Sequence, residues 1–147
     1  VAIIKVGAAT EVEMLEKKYR VEDALEAVKS ALEEGIVPGG GVALVRCKDF
    51  KVEVDNEDQK LGVEIIRKSL ESPIRQMALN ADKSPDLILN LVESETGSYG
   101  WDYVDNKMVD MIESGITDPA KVTRVALQNA VSAASVLITT NHAIVEV

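Results

Sequence analysis

Three of the four prolines in this chain stand directly behind a residue able to cap a helix: Ser72-Pro73, Ser84-Pro85 and Asp118-Pro119. Proline is favoured at the first helical position, where its missing N–H has no intrahelical partner to lose. Ser or Asp just before it can accept from the free N–H groups of the first turn. The pattern predicts three helix starts. The helix from Pro73 is expected to be short, ending near Asn80. The one from Pro85 carries Leu87, Ile88, Leu91 and Val92, and a long one from Pro119 carries Val122, Val125, Ala126, Ala130, Ala133 and Leu137.

Other signals extend the helical reading. Thr10-Glu-Val-Glu13 fits a capping box. A helix to about Glu34 follows, with Val21, Ala24, Leu25, Val28, Ala31 and Leu32 as its apolar stripe. Gly35 is placed to end that helix in the left-handed conformation. After Val37-Pro-Gly-Gly-Gly41, a short helix from Val42 to about Lys48 is expected, then a polar loop over 49–56. Asn56-Glu-Asp-Gln59 can cap a helix bearing Leu61, Ile65, Ile66 and Leu70. Ser94–Asn106 reads as a loop, and a short helix with Met108, Met111 and Ile112 is expected to end at Gly115.

Strands are expected only at the two ends, Val1–Val6 and His142–Val147. The fold class is therefore mainly α, multihelical, with short strands at the two ends. A bare apolar opening reads as a strand cut from a longer protein, with a processed mature terminus as the alternative. Free strand edges at both ends make dimers through Val1–Val6 or Ala143–Val147 an expectation.

Composition narrows the classes of function. Only 3% of the 147 residues are aromatic while 46% are hydrophobic, so the core must be aliphatic. The net charge of −9 repels phosphate backbones, so neither nucleic acid nor an anionic membrane is an expected partner. No apolar run approaches the roughly 20 residues a spanning helix needs. One cysteine, Cys47, and one histidine, His142, leave no zinc-ligand spacing and point to a reducing compartment. No metal site is expected from these residues.

No nucleophile elbow, complete phosphate-binding loop or dinucleotide-binding glycine pattern is present. The Gly39-Gly40-Gly41 run could let a ligand approach bare backbone, or could simply break the chain between two helices. Asp118 could accept from a ribose hydroxyl, or only cap its helix. Asp23 lies beside the apolar stripe, where an acid is usually just solvated. Trp101, Tyr99 and Tyr103 could stack on a base or plug a core.

Several strings, taken together, resemble the C-terminal portion of the group I (GroEL-type) chaperonins. They are Lys5-Val-Gly-Ala-Ala-Thr-Glu-Val-Glu13, Arg20-Val-Glu-Asp-Ala-Leu25, Glu33-Glu-Gly-Ile-Val-Pro-Gly-Gly-Gly-Val-Ala-Leu44 and Asn56-Glu-Asp-Gln59. Gly115-Ile-Thr-Asp-Pro-Ala-Lys-Val-Thr-Arg124 and Ile138-Thr-Thr140 continue the match in the same order. The resemblance implies the C-terminal part of an intermediate domain over 1–33 and of an equatorial, ATP-binding domain over 34–147.

It further implies that Asp23 orients or activates the water that attacks ATP. Gly39 and Gly40 would pack against the nucleotide sugar, Ile116 would lie beside the base, and Asp118 would hold the ribose hydroxyls. Asp102 falls on the adenine-contacting stretch, where Asp102-Tyr103-Val104 replaces the family's usual Asn-Ala-Ala. The implied cofactors are ATP/ADP and Mg2+, whose ligand lies in family segments that this sequence does not contain. The implied partners are unfolded client proteins, a co-chaperonin lid and copies of the chain in a seven-membered ring. Location is expected to be the bacterial cytoplasm or an organelle matrix. Without the phosphate loop and metal ligand, the 147-residue chain alone is expected to hydrolyse ATP negligibly.

Overall fold

The computed structural model describes residues 2–145; Val1, Glu146 and Val147 lie outside the described residues. The chain forms two compact units, one of the chain up to Gly35 together with that from Pro119 on, the other of Ile36–Asp118.

The first unit is a pair of helices, α1 (Glu11–Glu34) and α6 (Ala120–Ile138). α1 starts as expected, with Thr10 Oγ1 accepting from Glu13 N at 3.3 Å. It ends at Gly35 with φ 82° and ψ −168°, a positive-φ conformation other than the left-handed helical one expected. The Gly35 carbonyl then accepts from Ala120 N at 3.0 Å, tying the end of α1 to the start of α6. Glu33 and Glu34 sit at the C-terminus of α1 and Lys121 and Arg124 near the N-terminus of α6, each on the unfavourable end of its own helix dipole. They compensate by pairing with each other. Lys121 bonds Glu33, and Arg124 forks onto both oxygens of Glu34 at 2.6 and 3.0 Å. The bonds to Arg124 hold the Glu34 carboxyl below its ordinary pKa.

The apolar stripe of α1 is turned from where periodicity alone puts it. Its half-buried residues are Val21, Ala27, Ser30 and Ala31, while Leu25, Val28 and Leu32 are exposed, Leu32 at 83%. Small side chains let two helices approach closely, and the larger aliphatics are left facing outward.

The second unit holds β1 (Ile36–Pro38), α2 (Val42–Arg46), a 3-10 turn at Cys47–Asp49, α3 (Glu57–Ser69), α4 (Ser72–Asn80) and α5 (Pro85–Ser94). A hairpin of β2 (Tyr99–Asp102) and β3 (Lys107–Asp110) follows, and β4 (Thr117–Pro119) pairs with β1. The core is aliphatic: Val42, Val45, Ile74, Ala78, Ile88, Leu89 and Val92 are buried with Met111. Each of these side chains larger than alanine contributes roughly 1.5–3 kcal/mol on leaving water. Trp101, Tyr103, Met108, Val109 and Ile116 pack against this cluster, so Trp101 and Tyr103 serve the core while Tyr99 stays 45% exposed.

The fold is mainly helical, and the differences from the sequence reading are local. The short strands lie inside the chain: residues 2–6 and 142–145 form no strand, because nothing among the described residues offers them a ladder to join. Lys107–Asp110 is a strand where a helix was expected, and Tyr99–Asp102, read as loop, is its partner. The hairpin pairs Tyr99 with Asp110 and Trp101 with Met108. Asn106, at φ 53°, supplies the positive-φ residue its turn requires. Ser84 caps α5 as predicted, accepting from Leu87 N at 3.4 Å. Ser72 and Asp118 do not cap. α4 begins at Ser72 itself and α6 begins after Pro119, neither with a side-chain cap. No helix among the described residues is long and apolar enough to cross a membrane.

A charge cluster clamps the 3-10 turn to α4 and α5. Lys48 Nζ bonds Glu71 at 2.6 Å and Glu93 at 2.5 Å, and Arg75 bonds Glu71 at 3.0 Å and Asp86 at 2.6 Å. The bond from Lys48 lowers the Glu71 pKa, so this stabilisation is present above the unfolded carboxylate pKa and lost as pH falls through the folded value. Lys48→Met is expected to cost about 1 kcal/mol at neutral pH. The deficit should shrink in acid below the carboxylate range; urea denaturation at both pH values measures it.

Candidate functional site

The turn after β1 is built from backbone packed on backbone. Gly39 N donates to the Ile116 carbonyl at 2.9 Å. A Cβ on Gly39 would stand 2.9 Å from that oxygen and 3.1 Å from its carbon, so no side chain fits. Gly40 has φ 64°, and a Cβ there would meet Met111 Cε at 2.9 Å. Gly39 is buried, and Gly40 and Gly41 are half-buried. The run is therefore a packed turn rather than a flexible break, and its outer surface is bare main chain.

β4 lies beside this turn through its pairing with β1. Ile116, just before it, donates its N–H to the Met111 carbonyl at 2.8 Å and packs half-buried on the core. Asp118 sits on the strand instead of capping α6, which leaves its carboxylate without that role. The residue as a whole is exposed, yet its carboxyl is partly desolvated, and this burial alone raises its pKa. No hydrogen bond or ion pair among the described residues offsets the shift.

Asp102 ends β2, half-buried. Its Oδ1 accepts from Val104 N at 2.8 Å and Asp105 N at 3.3 Å, so that oxygen organises the hairpin turn. Tyr103 turns onto the core, its OH donating to the Ile74 carbonyl at 3.4 Å, and burial raises its pKa. Val104 is 88% exposed. The bulk that distinguishes Tyr103 from alanine is thus absorbed by core packing. Trp101 Nε1 is buried with no acceptor among the described residues.

Asp23 lies on α1 in the first unit and is exposed. The structure brings Gly39, Gly40, Ile116 and Asp118 together at the β1–β4 pair. Asp102 stands on the other sheet, joined to them through Met111, whose N–H donates to Ser98 O at 3.0 Å. Met111 carries no site signal in the sequence, where it is one apolar residue of an expected helix. The available signal for a hairpin was the turn-forming Asp105-Asn106 between two short segments, 99–102 and 107–110, that carry Tyr99, Trp101, Met108 and Val109.

These groups fit a nucleoside: a side-chain-free turn for a sugar to rest on, and an unpaired carboxylate to accept from vicinal hydroxyls. They do not fit a divalent metal. Among the described residues no three His, Cys, Asp or Glu side chains cluster as ligands.

Two stability measurements probe this geometry. Gly39→Ala should cost about 2 kcal/mol in urea denaturation, because its methyl forces Ile116 away from the turn. Asp118 has its folded pKa raised above the unfolded one, so its charged form costs the folded state stability above the carboxylate range, and nothing below both pKa values. Asp118→Asn should therefore raise the melting temperature at neutral pH, with the gain vanishing in acid.

The whole chain, residues 1–147, matches the model of the TCP-1/cpn60 chaperonin family. It is also similar to a solved structure described as a group III chaperonin in the open state, with 28% identity and a TM-score of 0.75. That match covers 95% of this chain and 30% of the other, so the chain spans under a third of its relative's length. A packed glycine turn, an unpaired strand carboxylate and a mainly helical frame thus stand in a chain that belongs to the TCP-1/cpn60 chaperonin family.

Proposed function

We propose that this chain supplies one half of the ATP site of a group I chaperone subunit, the form its sequence strings resemble. In this reading residues 1–33 belong to an intermediate domain and 34–147 to an equatorial domain of a seven-membered ring. The ring encloses unfolded client proteins under a co-chaperonin lid, in a bacterial cytoplasm or organelle matrix. The observation that carries the reading is Asp118. A strand carboxylate that does not cap its helix, has no partner among the described residues and is partly desolvated is well suited to bind hydroxyl donors.

Each residue has a task. Gly39, buried against Ile116, holds the turn in which Gly40 presents bare backbone to the sugar; Ile116 offers an apolar edge to the base, and Asp118 accepts from the ribose hydroxyls. Asp102 retains one carboxylate oxygen, Oδ2, for the adenine amino group. Asp23 orients or activates the attacking water, since phosphoryl transfer needs a placed nucleophile and charge control rather than a covalent intermediate. Mg2+ would neutralise phosphate charge on ligands outside this chain.

One observation favours a second reading, an interaction module without nucleotide activity: Leu32 at 83% and Leu137 at 74% exposure leave broad apolar helix faces uncovered. Calorimetry with MgADP separates the two. In an intact subunit carrying this segment, Asp118→Ala should weaken ADP binding at least about tenfold. Asp23→Ala should leave that affinity unchanged and slow ATP hydrolysis about a hundredfold. ADP affinity indifferent to Asp118→Ala would leave the interaction module standing. Turnover by the 147-residue chain alone close to that of the intact subunit would also overturn the half-site.

A further inference from the structure

Met111 is fully buried, and it reaches Gly40, Ile116 and β2, three of the segments that carry the proposed half-site within the 36–118 unit. Its Cε lies where a Cβ on Gly40 would come within 2.9 Å, so the glycine turn rests on the end of this thioether. Its Cγ and Sδ lie 2.8 and 3.0 Å from where a Cβ on Gly100 would stand, so β2 rests on the middle of the same side chain. Its carbonyl accepts from Ile116 N at 2.8 Å, and its N–H donates to Ser98 O at 3.0 Å. One unbranched side chain thus spaces the Gly40 turn from the strand ending at Asp102, while its main chain holds Ile116.

We propose that Met111 is the positioning residue of the half-site: its length sets the separation of the glycine turn, Ile116 and β2, and through it the affinity for nucleotide. The proposal rests on the nucleotide reading given above. Filling the core does not require methionine, since an aliphatic residue of similar volume packs at a cost usually below about 1.5 kcal/mol. Reaching Gly40 and Gly100 at once does require its length and lack of branching. Leucine ends one atom short of Cε.

The test uses intact subunits and calorimetric titration with MgADP, with thermal unfolding as the stability control. Met111→Leu should unfold within a few degrees of the parent yet bind ADP about tenfold more weakly, since small misplacements of a preorganised site are costly. Val92→Ala is the comparison. Val92 is equally buried in the same core and is not among the atoms nearest either glycine. It should lose more stability and keep parental ADP affinity. Gly40→Ala should also weaken binding, and adding Met111→Leu should restore part of the loss by vacating the space at Cε. That non-additivity marks a positioning contact rather than general loosening.

Equal loss of affinity in Val92→Ala, or strict additivity of Gly40→Ala and Met111→Leu, would reduce Met111 to core filling. If ADP binds and responds to Asp118→Ala but not to Met111→Leu, this inference alone falls. If the parental subunit binds no ADP, the nucleotide reading falls and takes this inference with it.

Discussion

Gly39 and Ile116 meet main chain to main chain, at 2.9 Å and with no room for a side chain between them. That contact joins the two chain ends of the 36–118 unit, and the remainder of the unit is arranged to permit it. Met111 lies under the turn, Gly100 yields space to Met111 and Val42, and Ile74 underlies Gly41. The glycines are therefore required by packing before any ligand is considered. The same lack of side chains leaves bare backbone on the outer surface, which is what a sugar ring needs in order to lie close. Structural need and binding need are met by the same atoms.

Charge is used differently in the two units. In the helix pair, acids at one helix end and bases at another each oppose their own helix dipole and are satisfied only by pairing across, Glu33 with Lys121 and Glu34 with Arg124. In the other unit Glu71 gathers Lys48 and Arg75, and its pKa falls because of those bonds. Asp118 is the exception. Its pKa moves up by burial, with no partner among the described residues to offset it. An unpaired charge held against its preference is the kind of local inconsistency that accompanies binding sites.

Much of the helical frame was legible. Thr10, Asn56 and Ser84 cap the helices they were read to cap, since a cap is a bond between residues three apart and needs no distant partner. The aliphatic core followed from composition. The Ser72 and Asp118 caps failed although both stand before proline, because α4 starts one residue early, with Ser72 inside it behind an already helical Glu71, and β4 claimed Asp118 for a strand. The 99–110 hairpin was missed for a related reason. Met108, Met111 and Ile112 have helical spacing, but Lys107–Asp110 is paired to Tyr99–Asp102, and the pairing outweighs the spacing. The terminal segments show the converse, with strand-forming residues and no ladder among the described residues.

The candidate site divides along the same line. Sequence by itself determined where helices start, that the core is aliphatic, that a glycine run sits between two elements, and which family strings the chain carries. These depend on neighbours along the chain or on the identity of residues. Only the tertiary structure decided that the glycine run is a packed turn against Ile116, that Asp118 is free of its helix, and that Asp102 spends one oxygen on its own turn. It alone decided that Met111 lies between the Gly40 turn, Ile116 and Gly100 of β2. Those facts depend on atoms brought together from positions 39–41, 98–102 and 111–118, and no local rule fixes which of several possible partners a residue meets when the chain closes on itself.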